Sequence, residues 1–218
     1  MKEYRAKTAY KKAEEADTYD AVRFRSLKGR IVDRLEKRAV SKALRDVPSG
    51  GRVLDVPCGT GRVTKWLLDA DYKVVGADIS EAMMAHAKVK LEGCPNLEGF
   101  YQADAEAMPF ADGEFDAVTC IRFSNHVPPD VRLRVIAEMK RVCKGPIIIS
   151  YCNPHTVSAY KRRLKALLRK PHAPWNPATP RRVAAEAAEV GLKVTRGWAI
   201  LPIISETVVY MLAAPTQE

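Results

Sequence analysis

The chain has 218 residues, 47% hydrophobic and 28% charged, with a formal net charge of +10. That length suits one domain with a lid or terminal extension, and that composition supplies a core. No apolar run approaches the roughly 18 residues that span a bilayer, and the charged start MKEYRAKTAYKKAEEADTYD lacks a secretory apolar stretch. Five scattered cysteines, without a C-x-x-C pair, point to a reduced, cytoplasmic chain with no disulfide frame and no metal site.

Residues 1–20 are polar and weakly patterned, and residues 1–50 are expected to form an N-terminal helical segment or lid. Within it Ile31, Val32, Leu35, Ala39, Val40 and Leu44 recur at helical spacing, until Pro48-Ser49-Gly50-Gly51 stops the helix. Short apolar runs follow at regular intervals: RVLDV (52–56), KVVGA (73–77), LEGFY (97–101), FDAVTC (115–120) and PIIISY (146–151). Helical stretches separate them near 62–70, 81–91 and 129–142, with Ser80 as an N-cap. A last helix over 180–190 ends at Gly191, and two strand-like runs, LKVTRGWAI and TVVYMLAA, are joined by a loop around Pro202. This alternation predicts an α/β fold: a Rossmann-like, doubly wound, mostly parallel seven-stranded sheet with helices on both faces, over residues 51–218.

In such a sheet ligands bind at the carboxyl ends of the strands. After the first strand comes Asp55 and the turn Pro57-Cys58-Gly59-Thr60-Gly61; after the second, Asp78 and Ile79. After the third comes Asp104-Ala105-Glu106, and after the fourth Ile121, Arg122 and the stretch SNHVPP with His126. Gly59 and Gly61 let the backbone turn tightly beside a ligand, and Asp78 is placed to take both hydroxyls of a ribose. The third glycine of the dinucleotide fingerprint is missing, since the chain reads G-T-G-R-V-T from Gly59. Asp55 before the turn opposes a pyrophosphate but suits a cationic amino group, and an acid at Asp104 accepts from an adenine amino group. These features favour a ligand with ribose, adenine and positive charge but no phosphate, which describes S-adenosylmethionine.

VLDVPCGTG, VVGADISEAMMAHAK, ADAEAMPFADGEFDAVTC and RVCKGPIIIS together resemble the class I S-adenosylmethionine-dependent methyltransferases, in the ubiquinone/menaquinone-biosynthesis-like (methyltransferase type 11) branch. The resemblance covers about residues 50–152. It implies that Asp55, Gly59 and Gly61 border the methionine part, that Asp78 binds the ribose and that Ile79 lies against the adenine. It also implies that Asp104 and Ala105 hold the adenine edge, and that Ile121 and Arg122 line the pocket. Pro57 stands where the family has its first turn glycine; proline fixes φ and removes an N–H.

Methyl transfer is a displacement at a sulfonium, so a general base is needed only where the acceptor loses a proton. His126 is the candidate base, or else a histidine that packs its loop; Tyr19, with Arg23, is a candidate lid residue over the site. The acid-free insert 153–180 carries six basic residues at Lys161, Arg162, Arg163, Lys165, Arg169 and Lys170. Tyr160, Leu164, Leu167 and Leu168 share one helical face there, so the helix either packs on the sheet or meets an anionic membrane or phosphate groups. The expected function is methyl transfer to a small-molecule or lipid-like acceptor. The alternatives are an RNA or protein methyltransferase, with nucleic acid ranked lower for want of an N-P-P-Y motif or stacking array, and a non-catalytic cofactor-binding protein.

Overall fold

The computed structural model describes residues 26–168 and 175–215. One sheet runs in the order β3-β2-β1-β4-β5-β7-β6, formed by β1 (Arg52–Asp55), β2 (Lys73–Asp78), β3 (Leu97–Gln102), β4 (Ala117–Cys120), β5 (Ile147–Cys152), β6 (Lys193–Ala199) and β7 (Thr207–Ala213). Strands β1 to β5 are parallel, and β7 is antiparallel to both β5 and β6. The mostly parallel seven-stranded sheet is the predicted one. The reversal at β7 follows from its link to β6, because a short loop joins only antiparallel neighbours.

The helices are α1 (Leu27–Ala43), α2 (Arg62–Leu68), α3 (Glu81–Lys90), α4 (Pro129–Val142), α5 (Val157–Leu168) and α6 (Pro180–Glu189). Ser26, Ser80 and Thr179 cap α1, α3 and α6, each side chain accepting a backbone N–H from the first turn. Both faces of the central strands are buried, which is why these strands read as continuous apolar runs. On β5, Ile147, Ile149 and Tyr151 join the layer with Val135 and Ile136 of α4 and Val183 of α6. Ile148, between them, joins the opposite layer with Val40 and Ala43 of α1 and Leu67 of α2.

Strand order reverses between β2-β1 and β4-β5, so connections leave the carboxyl ends of β1 and β4 to opposite sides and open a crevice there. Two residues of the insert helix's apolar face do not pack on the sheet, while the side chains of Leu167 and Leu168 lie outside the described residues. Tyr160 and Leu164 are 56% and 61% exposed, whereas Ala159 is fully buried. Two contacts set this rotation: Val157 N–H donates to the Ile203 carbonyl at 2.8 Å, and Ser158 Oγ donates to the Ile204 carbonyl at 2.6 Å.

Candidate functional site

At the end of β1 the chain must turn sharply to enter α2. Gly59 (φ +53°) and Gly61 (φ +75°) make that turn in the left-handed region. A Cβ on Gly61 would also sit 3.0 Å from both Ala87 Cβ and Leu91 Cδ1, so α3 closes on this turn only because there is none. The Gly59 N–H donates to Asp78 Oδ2 at 2.8 Å, and the Ser80 N–H donates to Asp78 Oδ1 at 2.8 Å. The two strand ends are thereby locked through one carboxylate. Burial pushes the Asp78 carboxyl upward, against the opposing pull of those backbone donors.

One cavity brings together Pro57, Cys58, Gly59, Thr60, Asp78, Ile79, Ile121, Arg122 and His126 of the residues predicted from sequence. Arg62, Val63, Met83 and Phe123 complete its wall. Burial, reinforced by Asp78 and Asp55, raises the Cys58 thiol well above its ordinary range, so it stays a neutral thiol. Gly61 shapes the turn without lining the cavity. Asp104, Ala105 and Glu106 are not brought to the cavity wall either. Asp104 Oδ1 accepts the Glu106 N–H at 3.1 Å, Ala105 is buried in the core, and Glu106 pairs with Arg134 at 2.6 Å. Their turn is tied to the site through the Ala103 N–H, which donates to the Asp78 carbonyl at 3.0 Å, and through Gln102 Nε2, which donates to the Ile79 carbonyl at 3.3 Å. Tyr19 and Arg23 lie outside the described residues.

Asp55 lies below the turn and does not line the cavity. It is 1% exposed beneath the turn, accepting from Thr64 Oγ1 at 2.7 Å and Thr119 Oγ1 at 2.9 Å. The alternation of β1 turns it toward α2, and Thr64 of α2 and Thr119 of β4 enclose it. Burial pushes its carboxyl up to about 6, against the downward pull of the two hydroxyls and of Arg62. The folded state therefore holds a proton that the unfolded chain releases near its ordinary pKa of about 4. Stability attributable to this group is present at low pH and is lost as pH rises from about 4 to about 6, by roughly 3 kcal/mol. Asp55→Asn is expected to remove that slope and to be the more stable form at pH 7.5 in urea unfolding. Thr119 accommodates the amide, since its Oγ1 also lies 3.4 Å from the Leu54 carbonyl and turns to donate there.

Glu36 is the functional neighbour that the sequence reading missed. It is fully buried on α1, with Oε1 2.6 Å from Arg122 Nη2 and Oε2 accepting from Arg122 Nε at 3.0 Å and Arg62 Nη1 at 3.2 Å. Asp33 takes Arg62 Nη1 at 2.7 Å as well. The helix containing these acids thus sets both guanidiniums of the cavity wall. A charge at position 36 interrupts the stripe of Val32, Val40 and Ala43, and that interruption was the available signal. Arg122 itself has φ +64°, rare for a residue with a Cβ, and its N–H donates to Ser150 Oγ at 2.6 Å.

His126 ends a short 3-10 helix (Ser124–His126) whose position is braced from two sides. Ser124 Oγ donates to the Ser150 carbonyl at 2.5 Å, and Arg132 Nη1 donates to the Ser124 carbonyl at 3.2 Å. Arg132 is itself held by buried Glu186 through bonds of 3.0 and 2.7 Å.

These residues fit an adenosylmethionine group. The Asp78 carboxylate lines the cavity and keeps lone pairs for a diol, Ile79 and Met83 offer apolar surface, and Arg62 and Arg122 in the wall bring positive charge near a carboxylate. A family model described as a methyltransferase domain matches residues 53–145. The chain is 31% identical over 183 residues to the ubiquinone biosynthesis O-methyltransferase of Bordetella bronchiseptica, covering 77% of this chain and 72% of that protein. It is 42% identical over 121 residues to the demethylmenaquinone methyltransferase of Beutenbergia cavernae, covering 55% of this chain and 48% of that one. The chain spans about half the length of the curated demethylmenaquinone methyltransferases it matches. In fold it is similar to the magnesium protoporphyrin IX methyltransferase of Synechocystis with bound SAH, at a TM-score of 0.72 and 16% identity, covering 93% of this chain and 98% of that one.

Proposed function

This chain belongs to the class I S-adenosylmethionine-dependent methyltransferases, and from that premise we propose that it transfers a methyl group to a small-molecule or lipid-like acceptor. The observation that carries the reading is Asp78, a buried carboxylate facing the cavity while fixed by the N–H groups of Gly59 and Ser80. S-adenosylmethionine supplies an electrophilic sulfonium methyl when bound. Asp78 would hold the ribose hydroxyls, and Ile79 would lie against the adenine. Arg62 and Arg122 would meet the amino-acid carboxylate. The chain's further task is to align the acceptor and exclude water. His126 would take a proton from an acceptor hydroxyl or amine, and its braced loop keeps the ring at the cavity.

The acceptor class rests on two supports. Two of the matched relatives are named for demethylmenaquinone and for ubiquinone biosynthesis, which favours a quinone-like small molecule as acceptor. Tyr160 and Leu164 are exposed on α5 beside Lys161 and Arg163, and the start of that helix is bonded to the carbonyls of Ile203 and Ile204, 75% and 50% exposed. An apolar surface flanked by cations suits peripheral contact with an anionic membrane. Among the described residues no helix is long and apolar enough to cross one.

Incubating the protein with methyl-labelled S-adenosylmethionine and cell extract, then separating small-molecule, lipid, RNA and protein fractions, tests this reading. Label is expected in the small-molecule or lipid fraction. Label confined to RNA or protein would replace the acceptor class, and bound cofactor with no labelled product would leave a binding protein without transfer.

A further inference from the structure

A second cavity of about 580 Å³ adjoins the first, and Arg122 stands in the wall of both. Its remaining wall is built from the start of α1, one face of α5 and the end of the β6–β7 loop. Ser158, Lys161, Arg162 and Lys165 recur at i, i+3, i+4 and i+7, so one face of α5 looks into this space. The exposed apolar residues Val157, Tyr160 and Leu164 occupy a different face. The helix therefore separates two tasks that its composition alone had merged.

The charges around the cavity do not balance. Arg122 is paired with Glu36, and Arg162 is paired with Glu206 from the loop. Lys28, Lys161 and Lys165 also line the space, and among the described residues none of them forms an ion pair. Three cations around one concave wall raise the local concentration of anions, and the volume lies in the range of small-molecule sites. Ile203 and Ile204, 75% and 50% exposed, immediately precede the Ser205–Thr207 segment of this cavity's wall.

We propose that this cavity is an anion subsite for the methyl acceptor. It receives a phosphate or carboxylate group through Lys28, Lys161 and Lys165, while the atom to be methylated lies on the Arg122 side, toward the first cavity. Exposed Ile203 and Ile204, next to that wall in sequence, accommodate a hydrocarbon portion of the same molecule. This inference rests on the methyltransferase reading for the word acceptor, but its anion binding is measurable without any transfer.

Calorimetric titration of the full chain, with S-adenosylhomocysteine present, tests the subsite. The probes are submicellar dodecyl phosphate, dodecanol and inorganic phosphate. Dodecyl phosphate is expected to bind about tenfold or more tightly than dodecanol, the scale of a charge-assisted contact. Lys161→Ala with Lys165→Ala should weaken it by about tenfold, while Lys161→Arg with Lys165→Arg retains most of the affinity. S-adenosylhomocysteine affinity should stay within about twofold in both variants, since neither lysine lines the first cavity. Competition by phosphatidylglycerol vesicles but not by inorganic phosphate identifies a lipid headgroup as the source, and the reverse identifies a free phosphate compound; either sustains the subsite. Equal binding of dodecanol and dodecyl phosphate, or undiminished binding by the double alanine variant, overturns it. Failure of S-adenosylhomocysteine to bind would instead sink the methyltransferase reading, leaving lysine-dependent anion binding to stand or fall by itself.

Discussion

Asp78→Ala is expected to weaken S-adenosylmethionine binding by roughly a hundredfold or more, to the point where calorimetry no longer resolves it. A bound ribose would make two hydroxyl-to-carboxylate contacts with Asp78. Hydrogen bonds to a charged group contribute about 1.5–3 kcal/mol each, so losing both costs at least about 3 kcal/mol. A second effect adds to the first. The substitution orphans the N–H groups of Gly59 and Ser80, both now satisfied at 2.8 Å, and so loosens the turn that shapes the cavity. Asp78→Asn separates the two contributions, because its amide oxygen still satisfies one backbone donor while its nitrogen faces the other. That variant should also lose binding while unfolding closer to the parent chain. Affinity within about threefold of the parent in Asp78→Ala would remove the ribose role altogether.

Glu36→Ala should lower the unfolding free energy by about 3–5 kcal/mol, the scale observed when one member of a buried charge set is removed. Glu36 is fully buried, and the Arg62 and Arg122 side chains it joins are each only 14% exposed. Without the carboxylate, Arg62 keeps Asp33 at 2.7 Å, but Arg122 loses its two contacts to Glu36. Arg122 is therefore expected to swing, and cofactor affinity should fall along with stability. Glu36→Gln retains the volume and one acceptor, so it should unfold between the parent and the alanine variant. Urea unfolding of the three chains checks the order. A loss under about 1 kcal/mol in Glu36→Ala would mean that the guanidiniums re-solvate freely and that α1 is not what positions them.

Much of the fold was legible because its determinants are local. The apolar runs at 52–56, 73–77 and 146–151 overlap β1, β2 and β5, since strands buried on both faces must be apolar throughout. Ser80 was readable as a cap from the helix it precedes. The Gly59-Thr60-Gly61 turn and Asp78 at a strand end were readable because a parallel sheet places its ligands there. Less legible was anything carried by residues distant in sequence. Asp55 looked like a ligand contact by position, yet Thr64 and Thr119 reach it from α2 and β4 and enclose it. Glu106, in the turn after β3, pairs with Arg134 of α4, 28 positions away, a partner that no local pattern announces.

The sequence by itself determined the strand and helix alternation, the turn after β1 and the acid after β2, because each follows from residues within a few positions of one another. Tertiary structure decided which charges meet. It joined Glu36 to Arg62 and Arg122 across 26 and 86 positions, and it turned the basic side of α5 toward a cavity while leaving Tyr160 and Leu164 exposed. Backbone conformation answers to neighbouring residues, whereas the burial and pairing of a charge depend on whatever the fold brings within a few ångströms of it.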